Sequence, residues 1–278
     1  MVTFEQIVTE IKARKYRPVY LFMGDEPYYI DELTSMLTET VLPEEERDFN
    51  QSILYGMETN VTAVITMARS YPMMSDHQLI VIKEAQNLSK IEELEVYVKN
   101  PLKSTILVLN YKGGSLDKRK KLYAEIDKNG AIFESKKIPE YKIPAFITSY
   151  ILSKGLSIDQ KSAQMLSDYL GNDLSKLTNE IAKLLIAIPP GQMRITADLI
   201  EENIGISKDF NNFELLNAII NKNIFKVNQI ADYFEKNPKN NQMIMTMSVL
   251  INYISNLMNC YWAKNKTEQG LATELGLR

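Results

Sequence analysis

The sequence contains a single cysteine, Cys260, and a single histidine, His77, among its 278 residues. A lone cysteine cannot form an intramolecular disulfide, and this pair cannot build a zinc site of the usual Cys/His type. A catalytic triad that depends on histidine is disfavoured for the same reason. The N-terminal stretch MVTFEQIVTEIKARKY predicts an amphipathic helix rather than a signal peptide. We therefore expect a cytoplasmic protein with no metal and no other cofactor.

A strong excess of charge of either sign is also missing. The formal net charge is -3 and the isoelectric point is about 5.5. This balance excludes the global positive field that dominates non-specific binding of nucleic acids. Contact with DNA must then come from a local patch, for which the sequence offers Lys118, Arg119, Lys120 and Lys121. The alternative for this basic run is a solvated helix face, which is the common role of such runs.

One long uncharged run, residues 242–262, has the length of a membrane span. However, Asn252, Ser255, Asn256 and Asn259 recur at helical spacing and form one polar stripe. Bare amides that face lipid are costly, so we predict a soluble helix with one apolar and one uncharged polar face. The polar stripe suits either packing against a partner subunit or burial within the helix's own domain.

Strand-like and helical segments alternate through the first half of the chain. Apolar strands between helices are typical of a parallel sheet covered on both faces, so we predict an α/β domain with five parallel strands. Helices are predicted in TNVTAVITMARS, with Thr59 or Asn60 as N-cap, and in SLDKRKKLYAEIDKNG, which ends at Gly130. The predicted strands are residues 18–23, 49–54, 78–83, 105–110 and 131–135.

Strand signals end near Tyr141, and the rest of the chain is predicted to be helical. Breaks are expected at Gly155, at Gly171 and at Pro189-Pro190-Gly191. A second change of composition follows residues 206–212. We therefore expect three domains, over residues 1–140, 141–210 and 211–278.

The stretch PVYLFMGDEPYYIDEL has the strand, glycine turn and helix of a phosphate-binding loop, without its chemistry. Such a loop needs GxxxxGK[ST], in which glycines admit the phosphates, lysine neutralises them and the hydroxyl holds Mg²⁺. Here Gly24 is followed by Asp25 and Glu26, and the second glycine, the lysine and the hydroxyl are missing. Lys83 and Glu84 follow the strand LIVI, where an acidic pair should hold the metal. We expect a degenerate nucleotide site without ATP hydrolysis, in which Asp25 or Glu26 serves the helix N-terminus.

Five stretches are recognisable by their order and spacing along the chain. They are PVYLFMGDEPYYIDE, ARSYPMMSDHQLIVIKEAQNL, LVLNYKGGSLDKRKKLYAEI, LSDYLGNDLSKLTNEIAKL and NNFELLNAIINKN. Together they resemble the delta-subunit family of bacterial DNA polymerase III, which belongs to the clamp-loader branch of AAA+ proteins. The resemblance implies an AAA+-like domain without a working ATP site, then a helical lid-like domain and a helical collar domain.

The resemblance also implies a role in DNA replication without catalysis by this chain. In the family, the delta subunit binds the ring-shaped sliding clamp and opens it for loading on primed DNA. The implied partners are the clamp (beta subunit), loader subunits of the gamma/tau and delta-prime types, which hydrolyse ATP, and primer-template DNA, indirectly or weakly; no membrane is involved. Because the family usually continues beyond the point where this chain stops, at TELGLR, we expect a shortened collar.

The family's clamp contact is a pair of large apolar residues after a helix and a proline. By resemblance it falls on Pro72, Met73 and Met74, where the family commonly has leucine and phenylalanine at the last two positions. From the residues alone, adjacent methionines in a short connection indicate a binding surface, but one methionine folded under the sheet is an equal alternative. His77, three residues further on, is either part of the contact or an ordinary residue at a strand start.

Two rival functions are left open by the sequence. One is an ATP-hydrolysing AAA+ enzyme with a non-standard nucleotide pocket, and the other is a helical adaptor unrelated to replication. Affinity for ATP separates the first rival from a clamp opener, and affinity for the sliding clamp separates the second.

Overall fold

The computed structural model describes residues 1–189, 191–204, 210–238, 243–263, 266–267 and 270–271. The chain forms two compact units, Met1–Lys137 and Ile138–Arg278. The expected division into three domains stays a prediction. Within the described ranges, no helix combines the length and the apolar character that crossing a bilayer requires. The predictions that concern Pro190, most of residues 206–212 and the terminal TELGLR fall outside the described residues.

A five-stranded parallel sheet forms the centre of the first unit, as predicted. Its strand order is β2-β3-β4-β1-β5. The strands are β1 (Val19–Gly24), β2 (Gln51–Tyr55), β3 (Gln78–Lys83), β4 (Thr105–Lys112) and β5 (Ala131–Ser135). Since all five run the same way, they begin at one edge of the sheet, the amino edge, and end at the opposite carboxyl edge.

Helices cover both faces of this sheet, which explains why its inner strands are largely apolar. In β1, Tyr20 and Phe22 pack into the cluster on one face, whereas Leu21 and Met23 pack into the cluster on the other. The helices are α1 (Phe4–Lys12), α2 (Pro27–Thr40), α3 (Glu44–Asn50), α4 (Val61–Ala68), α5 (Glu95–Val98) and α6 (Lys121–Asn129), with 3₁₀ turns at Ala85–Asn87 and Ile91–Leu94.

Two helix predictions in this unit are confirmed by their caps. The N-terminal helix α1 begins with a capping box in which the side chains of Thr3 and Gln6 bond to each other's backbone N–H groups. Of the two candidate caps for α4, Asn60 accepts a hydrogen bond from the backbone N–H of Ala63 at 2.9 Å. These local bonds join residues three apart, so the sequence is sufficient to predict them.

Two predicted boundaries in the first unit are wrong. Residues 49 and 50 end α3 instead of beginning a strand, because an acidic first turn, Glu44–Glu46, favours a helix there. The second predicted helix begins only at Lys121. Before it, a carboxylate oxygen of Asp117 accepts the backbone N–H of Arg119 at 2.9 Å, and this turn replaces the first helical turn.

The second unit is helical, with one small exception. Ser157–Ile158 (β6) and Arg194–Ile195 (β7) pair in parallel, so the prediction that strands end near Tyr141 is wrong for these residues. Two-residue strands are too short to show a period of two. The described helices are α7 (Ile143–Ser153), α8 (Gln160–Leu170), α9 (Leu174–Ala187), α10 (Ala197–Ile204), α11 (Asn212–Ile220), α12 (Ile224–Lys236) and α13 (Met243–Trp262), and a 3₁₀ turn at Glu140–Lys142 precedes them.

Candidate functional site

The connection from α4 to β3, residues 69–77, carries the two adjacent methionines and is called here the tip loop. The side chains of Met73 and Met74 are 60% and 97% exposed, and Tyr71 beside them is also exposed. The alternative in which one methionine folds under the sheet is therefore wrong. Two neighbouring, solvated apolar side chains at a loop are the kind of surface that binds a partner.

Both ends of the tip loop are fixed by side chains of the sheet. The side-chain amide of Gln78, the first residue of β3, donates to the carbonyls of Met67 (3.1 Å) and Ser70 at the end of α4. The same amide nitrogen lies 2.8 Å from the hydroxyl of Thr105, so its two N–H groups are shared among three acceptors, and that hydroxyl donates to the carbonyl of Ala68 at 2.9 Å. These bonds satisfy carbonyls that a helix end leaves without partners.

The middle of the tip loop is held by Asn50, the last residue of α3. Its amide oxygen accepts the backbone N–H of Met73 at 2.6 Å, and its amide nitrogen donates to the Met73 carbonyl at 2.9 Å. Nothing in the sequence marks Asn50, since it lies 23 residues away and belongs to no motif. An asparagine at the end of a helix is the one local signal, and it is a common one.

His77 and Pro72 are both half-buried. The ring of His77 meets the ring of Tyr16 edge-on, with 5.9 Å between centroids, and its backbone N–H bonds to the Ser75 hydroxyl at 3.3 Å. The contacts of the His77 ring are therefore with its own unit. A role of His77 or Pro72 in binding a partner stays a prediction.

The loop between β1 and α2 is closed by its own hydrogen bonds. Gly24 has φ +132°, and an added Cβ would lie 2.0 Å from the Ser135 carbonyl oxygen, so only glycine fits. The backbone N–H of Glu26 points at that same oxygen at 3.4 Å, and the Ser135 hydroxyl donates to the Glu26 carbonyl at 2.7 Å. Ser135, the last residue of β5, thus lies directly against this turn.

A second backbone N–H at this turn, that of Tyr28, is used within α2 itself. The Glu26 carboxylate accepts a hydrogen bond from the backbone N–H of Tyr28 at 3.1 Å, so the expected role of Glu26 as a cap at the N-terminus of α2 is confirmed. Pro27 has no N–H to offer. Burial and the charge of Glu26 raise the pKa of Tyr29 to about 12, while Asp25 is exposed to solvent. A polyphosphate would meet carboxylates and few free N–H groups here.

The end of β3 offers no acidic pair to a metal ion. The ammonium group of Lys83 lies over the ring of Tyr55, 5.9 Å from its centroid. Glu84 adopts a left-handed conformation with φ +51°, and its carboxylate accepts a hydrogen bond from Asn87 at 3.2 Å. Gly24 and these residues share the carboxyl edge, but β4 separates their strands.

The basic run is largely paired with carboxylates. Lys118 contacts Glu134 at 3.0 Å, Arg119 contacts Asp117 at 2.9 Å, and Lys120 lies 3.8 Å from Glu92. Hydrogen bonds from Arg119 lower the pKa of Asp117 to about 2. Lys121 begins α6. Pairing reduces the positive potential that this run offers to a phosphate, and contact with DNA or a partner stays a prediction.

The predicted site residues therefore separate into two groups at opposite edges of the sheet. The tip loop precedes β3 and lies at the amino edge, together with Asn50, which precedes β2 and was not predicted. The β1–α2 loop, Lys83 and the basic run follow their strands and lie at the carboxyl edge.

Helix α13 presents three faces, and none of its residues is buried. The alternative in which this helix is buried within its own domain is therefore wrong. One face is half-buried towards α11, where the Thr246 hydroxyl donates to the Asn212 side chain at 2.7 Å. A second face carries the predicted polar stripe. The third face is an exposed apolar stripe with heptad spacing: Ile244, Met247, Ile251, Ile254, Met258 and Tyr261.

Three comparisons relate the chain to known proteins. Residues 20–136 match the family model described as DNA polymerase III, delta subunit. The DNA polymerase III subunit delta of Bacillus subtilis (strain 168) is 28% identical over 252 residues, which are 87% of this chain and 72% of the relative.

One solved structure agrees with these two comparisons. The Bacillus subtilis DNA clamp loader delta protein matches with a TM-score of 0.65 at 26% identity, over 99% of this chain and 84% of that chain. The RuvB Holliday junction branch migration motor of Thermotoga maritima matches with a TM-score of 0.40 at 12% identity, over 77% of this chain and 72% of that chain.

Proposed function

We propose that this chain is a clamp-loader subunit which binds the sliding clamp and opens it. The starting point is its confirmed resemblance to the delta subunits of bacterial DNA polymerase III. The observation that carries this proposal is the exposure of Met73 and Met74 at the tip loop. The methionine pair enters an apolar groove of the clamp. Methionine is flexible and polarizable, so it fills a groove that leucine or phenylalanine fills in other family members.

Opening follows from differential affinity rather than from chemistry in this chain. A ligand shifts an equilibrium between closed and open rings only by as much as it prefers one of them. The methionine pair binds the open or distorted clamp interface better than the closed one and so captures rings that open spontaneously. ATP is bound and hydrolysed by the sister subunits of the gamma/tau and delta-prime types, within the DNA polymerase III complex.

The alternative, an ATP-hydrolysing AAA+ enzyme, finds little support in the geometry of the β1–α2 loop. The N–H groups of Glu26 and Tyr28 bond to the Ser135 carbonyl and to the Glu26 carboxylate, and the ammonium group of Lys83 stands where a magnesium ligand is needed. The carboxyl edge serves instead as a rigid scaffold. Primer-template DNA is contacted indirectly, or weakly through the basic run.

Assembly with the sister subunits uses the last domain. The apolar stripe of α13 has the spacing with which helices pack side by side, and its exposure leaves it available to another chain. Residues 141–210 then act as the lid-like domain and residues 211–278 as the collar.

The decisive experiment is a pull-down of the organism's own sliding clamp by the purified chain, with and without ATP. We expect binding in both conditions, with the same affinity, and no nucleotide on the protein. Lack of clamp binding would refute the proposed function, and ATP-dependent binding accompanied by hydrolysis would favour the enzyme alternative.

A further inference from the structure

The side chain of Asn50 is used completely by the tip loop and by its own helix. Both N–H groups of its amide donate, one to the Glu46 carbonyl at 3.2 Å and one to the Met73 carbonyl at 2.9 Å. Its amide oxygen accepts the Met73 N–H at 2.6 Å. Asn50 is only 5% exposed, although it lies beneath one of the most exposed segments of the chain. No other residue type has this set of donors and acceptor at this side-chain length.

The tip loop needs such a support because its conformation is unfavourable by itself. Met74 has φ +53°, in the left-handed region that residues with a side chain rarely adopt. Such a backbone persists only where the surrounding structure determines it. Gln78 and Thr105 hold the end of α4, and Ser75 bonds to the backbone of His77, so Asn50 is the described side chain that holds the middle of the loop.

We propose that Asn50 is a positioning residue for the clamp contact. By binding both backbone groups of Met73, it fixes the direction in which Met73 and Met74 leave the loop, so that both side chains are presented to the clamp before binding. This role rests on the proposed function. Pre-organisation of this kind raises affinity because less conformational freedom is lost on association.

The test compares Asn50→Ala with the wild-type chain. We expect the variant to bind the sliding clamp about tenfold more weakly, the effect of losing one or two hydrogen bonds that hold the binding conformation. The backbone N–H of Met73 should exchange with solvent faster in the free variant, since its acceptor is gone. Asn50→Asp keeps that acceptor but turns a carboxylate towards the Met73 carbonyl, so it should also weaken clamp binding. If Asn50→Ala fails to fold, Asn50→Asp serves in its place.

Asn129→Ala is the matched control, because it removes a side-chain bond of similar length, 2.9 Å to the Val98 carbonyl, at the end of another helix in the same unit. It should bind the clamp normally. In a chain that already carries Met73→Ala and Met74→Ala, Asn50→Ala should cause no further loss, since the side chains it positions are absent.

The outcomes separate the two proposals. Unchanged clamp binding by Asn50→Ala or by Asn50→Asp, or an equal loss with and without the methionine pair, would overturn the positioning role alone. Normal clamp binding by Met73→Ala with Met74→Ala would instead overturn the clamp contact itself.

Discussion

Removal of the methionine pair is the sharpest test of the proposed clamp contact. Met73 and Met74 are 60% and 97% exposed, so a groove that covers both removes the surface of roughly one and a half methionine side chains from water. Full burial of one such side chain contributes about 1.5–3 kcal/mol. Ordering each flexible side chain on binding costs about 0.5–1.5 kcal/mol. We therefore expect Met73→Ala with Met74→Ala to weaken clamp binding by about 2 kcal/mol, or about 30-fold in Kd.

The same double substitution should leave the fold intact. Neither side chain belongs to the core, so the thermal midpoint should change by less than about 2 °C. The assay is titration of the fluorescently labelled clamp, with thermal unfolding measured on the same samples. Met57→Ala is the control, because Met57 is 79% exposed but follows β2 at the carboxyl edge. It should bind as the wild type does.

Two results would refute this reasoning. Clamp binding within about twofold of wild type by the double variant would show that the methionine pair contributes little to affinity. A thermal midpoint several degrees lower would show that these side chains stabilise the unit itself, and a loss of binding would then have another cause.

Three further predictions follow from other parts of the chain. Gly24→Ala should lower stability by about 3 kcal/mol or more, because the new Cβ would lie 2.0 Å from a backbone oxygen of β5; thermal unfolding measures this. Ile251→Glu with Ile254→Glu on α13 should abolish assembly with sister subunits in size-exclusion chromatography, while clamp binding persists. The third prediction concerns Glu10, whose pKa is held below the ordinary 4.5 by hydrogen bonds from Arg17. These bonds therefore stabilise the folded state fully above pH 4.5, and their contribution is lost as the pH falls through the lowered pKa of the folded state. Glu10→Gln should therefore lose less thermal stability than wild type on acidification from about pH 5 to about pH 3.

Each of these three predictions has a matched control variant. Gly113→Ala also introduces a side chain at positive φ, +72°, but meets no atom within 4 Å, so it should cost much less than Gly24→Ala. Asn252→Glu adds a charge to the polar stripe of α13 and should leave assembly unchanged. Lys12→Gln removes a charge in α1 outside the Arg17–Glu10 pair and should keep the acid sensitivity of the wild type. Equal behaviour of variant and control would contradict the corresponding prediction.

The core of the sheet was predictable because its signals are local. The predicted strands 78–83 and 131–135 coincide with β3 and β5, since a strand covered on both faces is largely apolar. The absence of the phosphate-binding motif could be seen in the sequence for a similar reason, because the glycine, lysine and hydroxyl residues of that motif are spaced along one segment. The same holds for the cap that Asn60 provides to α4.

The sequence also determined that two methionines stand side by side between a helix and a strand, and that Gly24 is not followed by the Gly-Lys-Ser/Thr of a phosphate-binding loop. Only the tertiary structure decided that both methionines face solvent and that α13 leaves its apolar stripe exposed. The hydrogen bonds between Asn50 and Met73, which is 23 residues away in the sequence, were likewise decided by the tertiary structure. The physical reason is the separation along the chain of the groups that interact. Turns and caps are set by groups a few bonds apart, whereas the exposure of a side chain depends on which distant segments occupy the space around it.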